Sequence, residues 1–147
     1  MNSRNHIMLG AIGAWLYTDV LGIAQAPGSA GYTSLLLWPR VTVHEALPSA
    51  SGSYDSVRGR IELAWMNLST SFTIDATVPT NVAAEVRLPF PAASAATLAA
   101  TEGGRTFYSG GAYVSGVPGI VGASIDAASG TLAVRVGSGA FAFAATW

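Results

Sequence analysis

The chain has 147 residues, half of them hydrophobic and one in ten charged, with a formal net charge of −1 and no cysteine. A chain of this length forms one domain and buries roughly two-thirds of the surface its unfolded form exposes. Near-neutrality leaves no basic footprint for nucleic acid and no polybasic signal for a membrane, while the missing cysteines exclude disulfides, thiolate metal sites and cysteine nucleophiles. So little charge also predicts apolar surface left over for a partner.

The first element is an amphipathic helix. Ile7, Met8, Ala11, Ile12, Trp15, Leu16 and Val20 recur at three- and four-residue spacings and share one broad face. Ser3 or Asn5 is placed to cap its start, and Gly22, followed by Pro27 and Gly28, to stop it. Asp19 within the apolar run, and no small-residue cleavage pattern before Pro27, set it apart from a secretion signal. Gly10 and Gly13 each cost about 1 kcal/mol relative to alanine, which predicts a second backbone approaching closely there. Small residues on one side and Trp15 on another call for neighbours on more than one face.

Beyond Ala24 the pattern turns to strands. Thr33 to Trp38 is a short apolar run ended by Pro39. Tyr54 to Trp65 follows, with a turn or bulge at Arg58-Gly59, and then Ile61, Leu63 and Trp65 alternate with polar or small residues. Phe72, Ile74, Ala76 and Val78 make the next apolar face; Ala84, Val86 and Leu88 make another. Residues Ala92 to Ala100 read as a helical turn or a surface loop, and the glycine-rich stretch after them is weakly patterned. The chain closes with Thr131 to Val136, a turn at Gly137-Ser138-Gly139, and Phe141, Phe143, Ala145 and Trp147, which together predict a hairpin. The fold expected is mainly β: an antiparallel β-sandwich of about eight strands preceded by one N-terminal α-helix.

Few residues invite chemistry. His44-Glu45 is a neighbouring pair whose side chains face opposite ways on a strand, and His6 lies too far off to share a metal with it. No cofactor or metal site is expected. Among the carboxylates Asp19, Asp55, Glu62, Asp75, Glu85, Glu102 and Asp126, no pair stands out; Asp55 is expected to cap a turn, and Glu62 and Glu85 to face solvent. Asn67-Leu68-Ser69 matches the short glycosylation acceptor pattern. The tryptophans, with Tyr32, Tyr54 and Tyr108, are candidates for a sugar-stacking platform, although Trp65 and Trp147 alternate in phase with core residues.

Three stretches together resemble the C-terminal end of the α-L-rhamnosidases of glycoside hydrolase family 78. They are Met1 to Met8 with Gly10, Trp15-Leu16-Tyr17 and Gly22-Ile23; Ser53 to Ile61 with Trp65; and Val78 to Asn81 with Ala84, Val86, Leu88 and Pro89, joined by the closing Gly137 to Phe143. The resemblance implies that residues 1–24 match the last helix of an (α/α)6 barrel and residues 30–147 the β-sandwich that follows it. It implies terminal α-L-rhamnosides, or another carbohydrate, as ligand, and His6 as a residue lining the rhamnose subsite. In the family, an inverting pair of carboxylates lies upstream of the asparagine-histidine motif at which this chain starts, so hydrolysis by this chain alone is not expected. The partner implied is the helical barrel of a parent or split enzyme; without it, the apolar face of the helix is expected to drive self-association or to pack back on the sheet. The alternative is a free-standing carbohydrate-binding or protein-interaction β-sandwich module.

Overall fold

A computed structural model describes residues 10–40 and 47–147. The helix begins as a short α-helical turn, α1 (Ala11–Trp15), and continues as a π-helical segment over Leu16–Leu21. Gly22 ends it in the left-handed conformation expected of a stop, φ 92°. The candidate caps Ser3 and Asn5 and both histidines, His6 and His44, lie outside the described residues.

Among the described residues, twelve strands then make two sheets. One contains β1 (Ile23–Gln25), β2 (Ser34–Leu37), β6 (Ala83–Pro89), β11 (Thr131–Val136) and β10 (Ile120–Asp126), in that spatial order. The other runs β3 (Ser49–Ser56), β4 (Gly59–Leu68), β5 (Ser71–Val78), β12 (Gly139–Thr146), β7 (Ala99–Glu102), β8 (Arg105–Ser109) and β9 (Ala112–Tyr113). The architecture is the helix-plus-sandwich expected, with strands added where the 92–130 stretch carries no legible pattern. Ala92–Ser94 forms a single 3-10 turn, and four strands follow it before residue 127.

The strong alternations are the core. Ile61, Leu63 and Trp65 of β4, Phe72 and Ile74 of β5 and Phe143 of β12 are buried against Leu35 and Leu37 of β2, Val86 and Leu88 of β6 and Leu132 and Val134 of β11. Rings stack within it: Trp65 on Phe72 with centroids 5.6 Å apart, and Phe141 on Phe143 at 5.5 Å.

Two details depart from expectation. The last two strands are not a hairpin: β11 pairs with β6 and β10, whereas β12 inserts between β5 and β7 in the other sheet. The turn at Gly137-Ser138 therefore carries the chain across the sandwich, so each strand has two partners and Phe141 and Phe143 face the core. Among the described residues every strand pairing is antiparallel except β2 with β6, which run parallel from Ser34↔Ala83 to Leu37↔Val86. That pairing joins segments about fifty positions apart, and no local pattern encodes it.

Candidate functional site at the helix–sandwich junction

The helix is tied down at its C-terminal end, where carbonyls lack intrahelical partners. The Gly22 N–H donates to Tyr17 O (3.0 Å), the Arg40 N–H to Asp19 O (2.8 Å), and the Trp65 indole N–H to Val20 O (3.0 Å). Trp65 lies on β4 and Arg40 just beyond β2, so both sheets hold the helix. Gly22 sits so close to the chain beyond β2 that a Cβ there would lie 2.3 Å from the Pro39 nitrogen. The backbone approach expected around Gly10 and Gly13 is absent among the described residues, since a Cβ at either meets nothing within 4 Å. The close approach is at Gly22 instead.

A chain of charges and rings extends from this anchor. Asp19 pairs with Arg40 (3.4 Å); Arg40 and Arg87 both lie over the Trp38 ring, 4.4 and 4.7 Å from its centroid. Arg87 in turn holds Glu85 (2.7 Å) and Asp126 (2.8 Å). Asp126 also accepts the backbone N–H groups of Ala128 (3.0 Å) and Ser129 (3.4 Å), forming the turn between β10 and β11. The Ser129 hydroxyl first, then those amides and Arg87, hold the Asp126 carboxyl below its ordinary value of 3.8. A group depressed in the folded state contributes stability above its unfolded pKa and loses it as the pH falls through the folded value. Thermal stability should therefore fall below about pH 4, and Asp126→Asn should flatten that acid limb in a melting series from pH 7 to 3. An unchanged acid limb would remove Asp126 from the account.

The helix presents two stripes. Ile12 and Trp15 point away from the sandwich and are 63% and 53% exposed. Tyr17, Val20 and Leu21 turn towards it and, with Leu16 and the β3 residues Ala50, Ser51 and Gly52, border a depression of about 230 Å³. Tyr17 meets Tyr54 edge-on at 6.1 Å, and Tyr54 lies against Tyr32 at 5.0 Å. Tyr32 sits at φ 58°, unusual for a bulky residue, with its N–H donating to Gln25 Oε1 (3.0 Å). Burial first, then its side-chain hydrogen bond with Tyr54, pushes the Tyr32 phenol up to about 12.

Of the aromatic candidates, then, Tyr32 and Tyr54 come together and are joined by Tyr17, which sequence reasoning left out of that group. Trp65 and Tyr108 are buried in the core, and Trp147 packs against it. Nothing in the chain order signals the tyrosine contact, because the three residues come from the helix, the β1–β2 loop and β3.

Five of the candidate carboxylates, Asp19, Asp55, Glu62, Glu85 and Asp126, pair with arginines. Arg60 bridges Asp55 (3.5 Å) and Glu62 (2.9 Å). Asp55 is not the turn cap: the Ser56 hydroxyl accepts the Arg58 N–H (3.1 Å) and donates to Gly59 O (2.8 Å). Seryl Oγ reaches both ends of this tight turn, whereas Asp55 is one residue too early. Glu62, Asp75 and Glu102 line a shallow groove of about 630 Å³ on the outer face of the seven-stranded sheet. Bonds from Arg60 and then Thr77 lower the Glu62 pKa, the opposite of what a general acid requires. Asn67, of the glycosylation pattern, lies within β4 opposite Phe72 and is half-buried.

Comparison with known proteins settles the family. The model described as bacterial alpha-L-rhamnosidase C-terminal domain matches residues 22–102, more than half of the chain. The chain belongs to the bacterial α-L-rhamnosidase C-terminal domain family. An α-L-rhamnosidase of Streptomyces avermitilis is 37% identical over 89 residues, covering 60% of this chain and 8% of that protein. One from Alteromonas sp. is 35% identical over 85 residues, covering 58% of this chain and 9% of its own length. The matched segments therefore span less than a tenth of these curated relatives. Among solved structures, the α-L-rhamnosidase of Dictyoglumus thermophilum superposes with a TM-score of 0.75 at 25% identity, over all of this chain and 15% of that one. The Streptomyces avermitilis enzyme complexed with L-rhamnose gives 0.67 at 28% identity, over 98% of this chain and 12% of that one. The enzyme from Aspergillus terreus, at 19% identity and a TM-score of 0.58 over 95% of this chain and 12% of its own, shares the fold.

Proposed function

We propose that this chain is the C-terminal portion of an α-L-rhamnosidase-like glycoside hydrolase. In this reading residues 1–24 complete a helical catalytic barrel, residues 30–147 support it, and His6 lines the rhamnose subsite. The observation that carries the reading is the helix itself: it is fastened to the sandwich at one end, yet Ile12 and Trp15 stand exposed. Covering two such side chains is worth about 1.5–3 kcal/mol each when burial is complete. A helical layer packed on that stripe supplies the missing contacts. Asp19, Asp55, Glu62, Glu85 and Asp126 are each engaged by an arginine, and in this reading the reacting acid and base belong to the helical barrel.

A graft tests this: the matching C-terminal part of the Streptomyces avermitilis enzyme is replaced by this chain, and hydrolysis of a chromogenic α-L-rhamnoside is followed. The graft should be soluble and active. His6→Ala within it should raise KM by about tenfold, the loss of one good hydrogen bond to the sugar. An unchanged KM would take His6 out of the subsite.

A further inference from the structure

Tyr17, Tyr32 and Tyr54 combine ring faces with hydroxyls, unlike the purely apolar Ile12 or the outward Trp15 on the other stripe. We propose that these three tyrosines form a stacking platform for a single pyranose ring, a carbohydrate contact made by this domain itself. The proposal goes beyond the supporting role above and does not depend on it.

Each phenol is rigid, with two side-chain torsions, and amphipathic, with a ring to meet the C–H face of a sugar and a hydroxyl to meet its edge. The three are held before any ligand arrives. Tyr54 touches both neighbours, and Tyr32 is fixed through its N–H on Gln25 at a left-handed backbone position. Strain of that kind in a bulky residue gathers at ligand clamps, where surrounding contacts sustain it. Tyr17 also borders the 230 Å³ depression between the helix and β3. That volume lies below the roughly 300–1,000 Å³ of sites for drug-sized ligands, which suits one ring resting on Tyr17; Tyr32 and Tyr54 are not among the residues that line it. Polar groups lie at hand: the Arg58 guanidinium rests on Gly31 O (3.4 Å), next to Tyr32, and Ser51 lines the depression. The Arg58 guanidinium beside Tyr32 is a donor for a sugar hydroxyl, and the ligand proposed is a neutral sugar. Tyr17 and Tyr54 are exposed, 44% and 37%, and able to receive it.

The test is an amide-resolved NMR titration of this chain with methyl α-L-rhamnopyranoside and, separately, methyl α-D-glucopyranoside. Saturable shifts in the millimolar range, centred on Tyr17, Tyr32 and Tyr54, are expected for at least one of them. Tyr54→Ala should weaken binding about tenfold or more, while Tyr54→Phe, which keeps the ring, should stay within about threefold. Tyr17→Ala, on the helix and outside the sandwich core, repeats the test where the fold is not at stake. No saturable shift with either sugar, or binding untouched by both alanine variants, overturns the proposal.

Discussion

Trp65→Ala should cost about 3–5 kcal/mol of folding stability, the range for removing a large buried aromatic. Trp65 is buried at the centre of β4, stacked on Phe72, and its indole donates to Val20 O of the helix. Alanine leaves a cavity between the sheets and strips a helix carbonyl of its partner, and neither loss is recoverable by small movements in a close-packed interior. Trp65→Phe separates the two effects: it keeps a ring on Phe72 and loses the hydrogen bond, and should cost about 1–3 kcal/mol. Urea unfolding with an unchanged slope reads both values. A loss under about 1 kcal/mol for Trp65→Ala would mean that this ring does not hold the core and helix together.

Gly22→Ala is the second large effect, and it acts on the backbone. The residue sits at φ 92°, and the added Cβ would lie 2.3 Å from Pro39 N and 2.5 Å from the Trp38 carbonyl carbon. Left-handed backbone costs a non-glycine residue roughly 1–2 kcal/mol, and overpacking adds about 1–3 kcal/mol. The segment must shift, and with it go the Trp38 N–H bond to Gly22 O (2.8 Å) and the Arg40 N–H bond to Asp19 O (2.8 Å). Gly130→Ala is the control: its φ of 64° is also left-handed, but the new Cβ meets nothing within 4 Å, so about 1–2 kcal/mol is expected. Unfolding curves should rank Gly22→Ala clearly below Gly130→Ala, and hydrogen exchange should show the helix amides released. Equal losses would remove the steric argument.

These two positions also show how much of the molecule is legible in the chain itself. Gly22 reads as a helix stop and Trp65 as an inward residue of an alternating strand, because both properties are local: one a backbone conformation, the other a period of two. The same holds for Phe72 and Ile74 on β5, and for the turn before Gly59. Residues 92–130 are opaque for a physical reason. Ala99 and Ala100 differ in burial but not in side chain, so β7 carries no amphipathic contrast, and a register shift after Ala100 disturbs what alternation remains. The crossing of the chain between β11 and β12 looks like a hairpin locally, since a glycine-rich turn between strands does not reveal which sheet receives the next strand.

The junction was half legible. The amphipathic helix and its need for neighbours follow from residue spacing, but the stripes divide only once the sandwich is in place: Tyr17 and Leu21 face it, Ile12 and Trp15 do not. The indole of Trp65 on Val20 O, 45 positions away, and the meeting of Tyr17, Tyr32 and Tyr54 are products of tertiary structure. The site residue drawn from family resemblance, His6, lies outside the described residues, and its role rests on the kinetic test above.

The most direct measurement is the rate at which the graft onto the Streptomyces avermitilis enzyme hydrolyses a chromogenic α-L-rhamnoside, with and without Trp15→Asp on the outward stripe. If this helix and sandwich complete a catalytic barrel, the graft should work within about tenfold of the parent enzyme. A charge forced into that interface, costing several kcal/mol, should abolish activity while leaving the isolated chain as stable as before. A folded graft that hydrolyses nothing, or one indifferent to Trp15→Asp, would contradict the account.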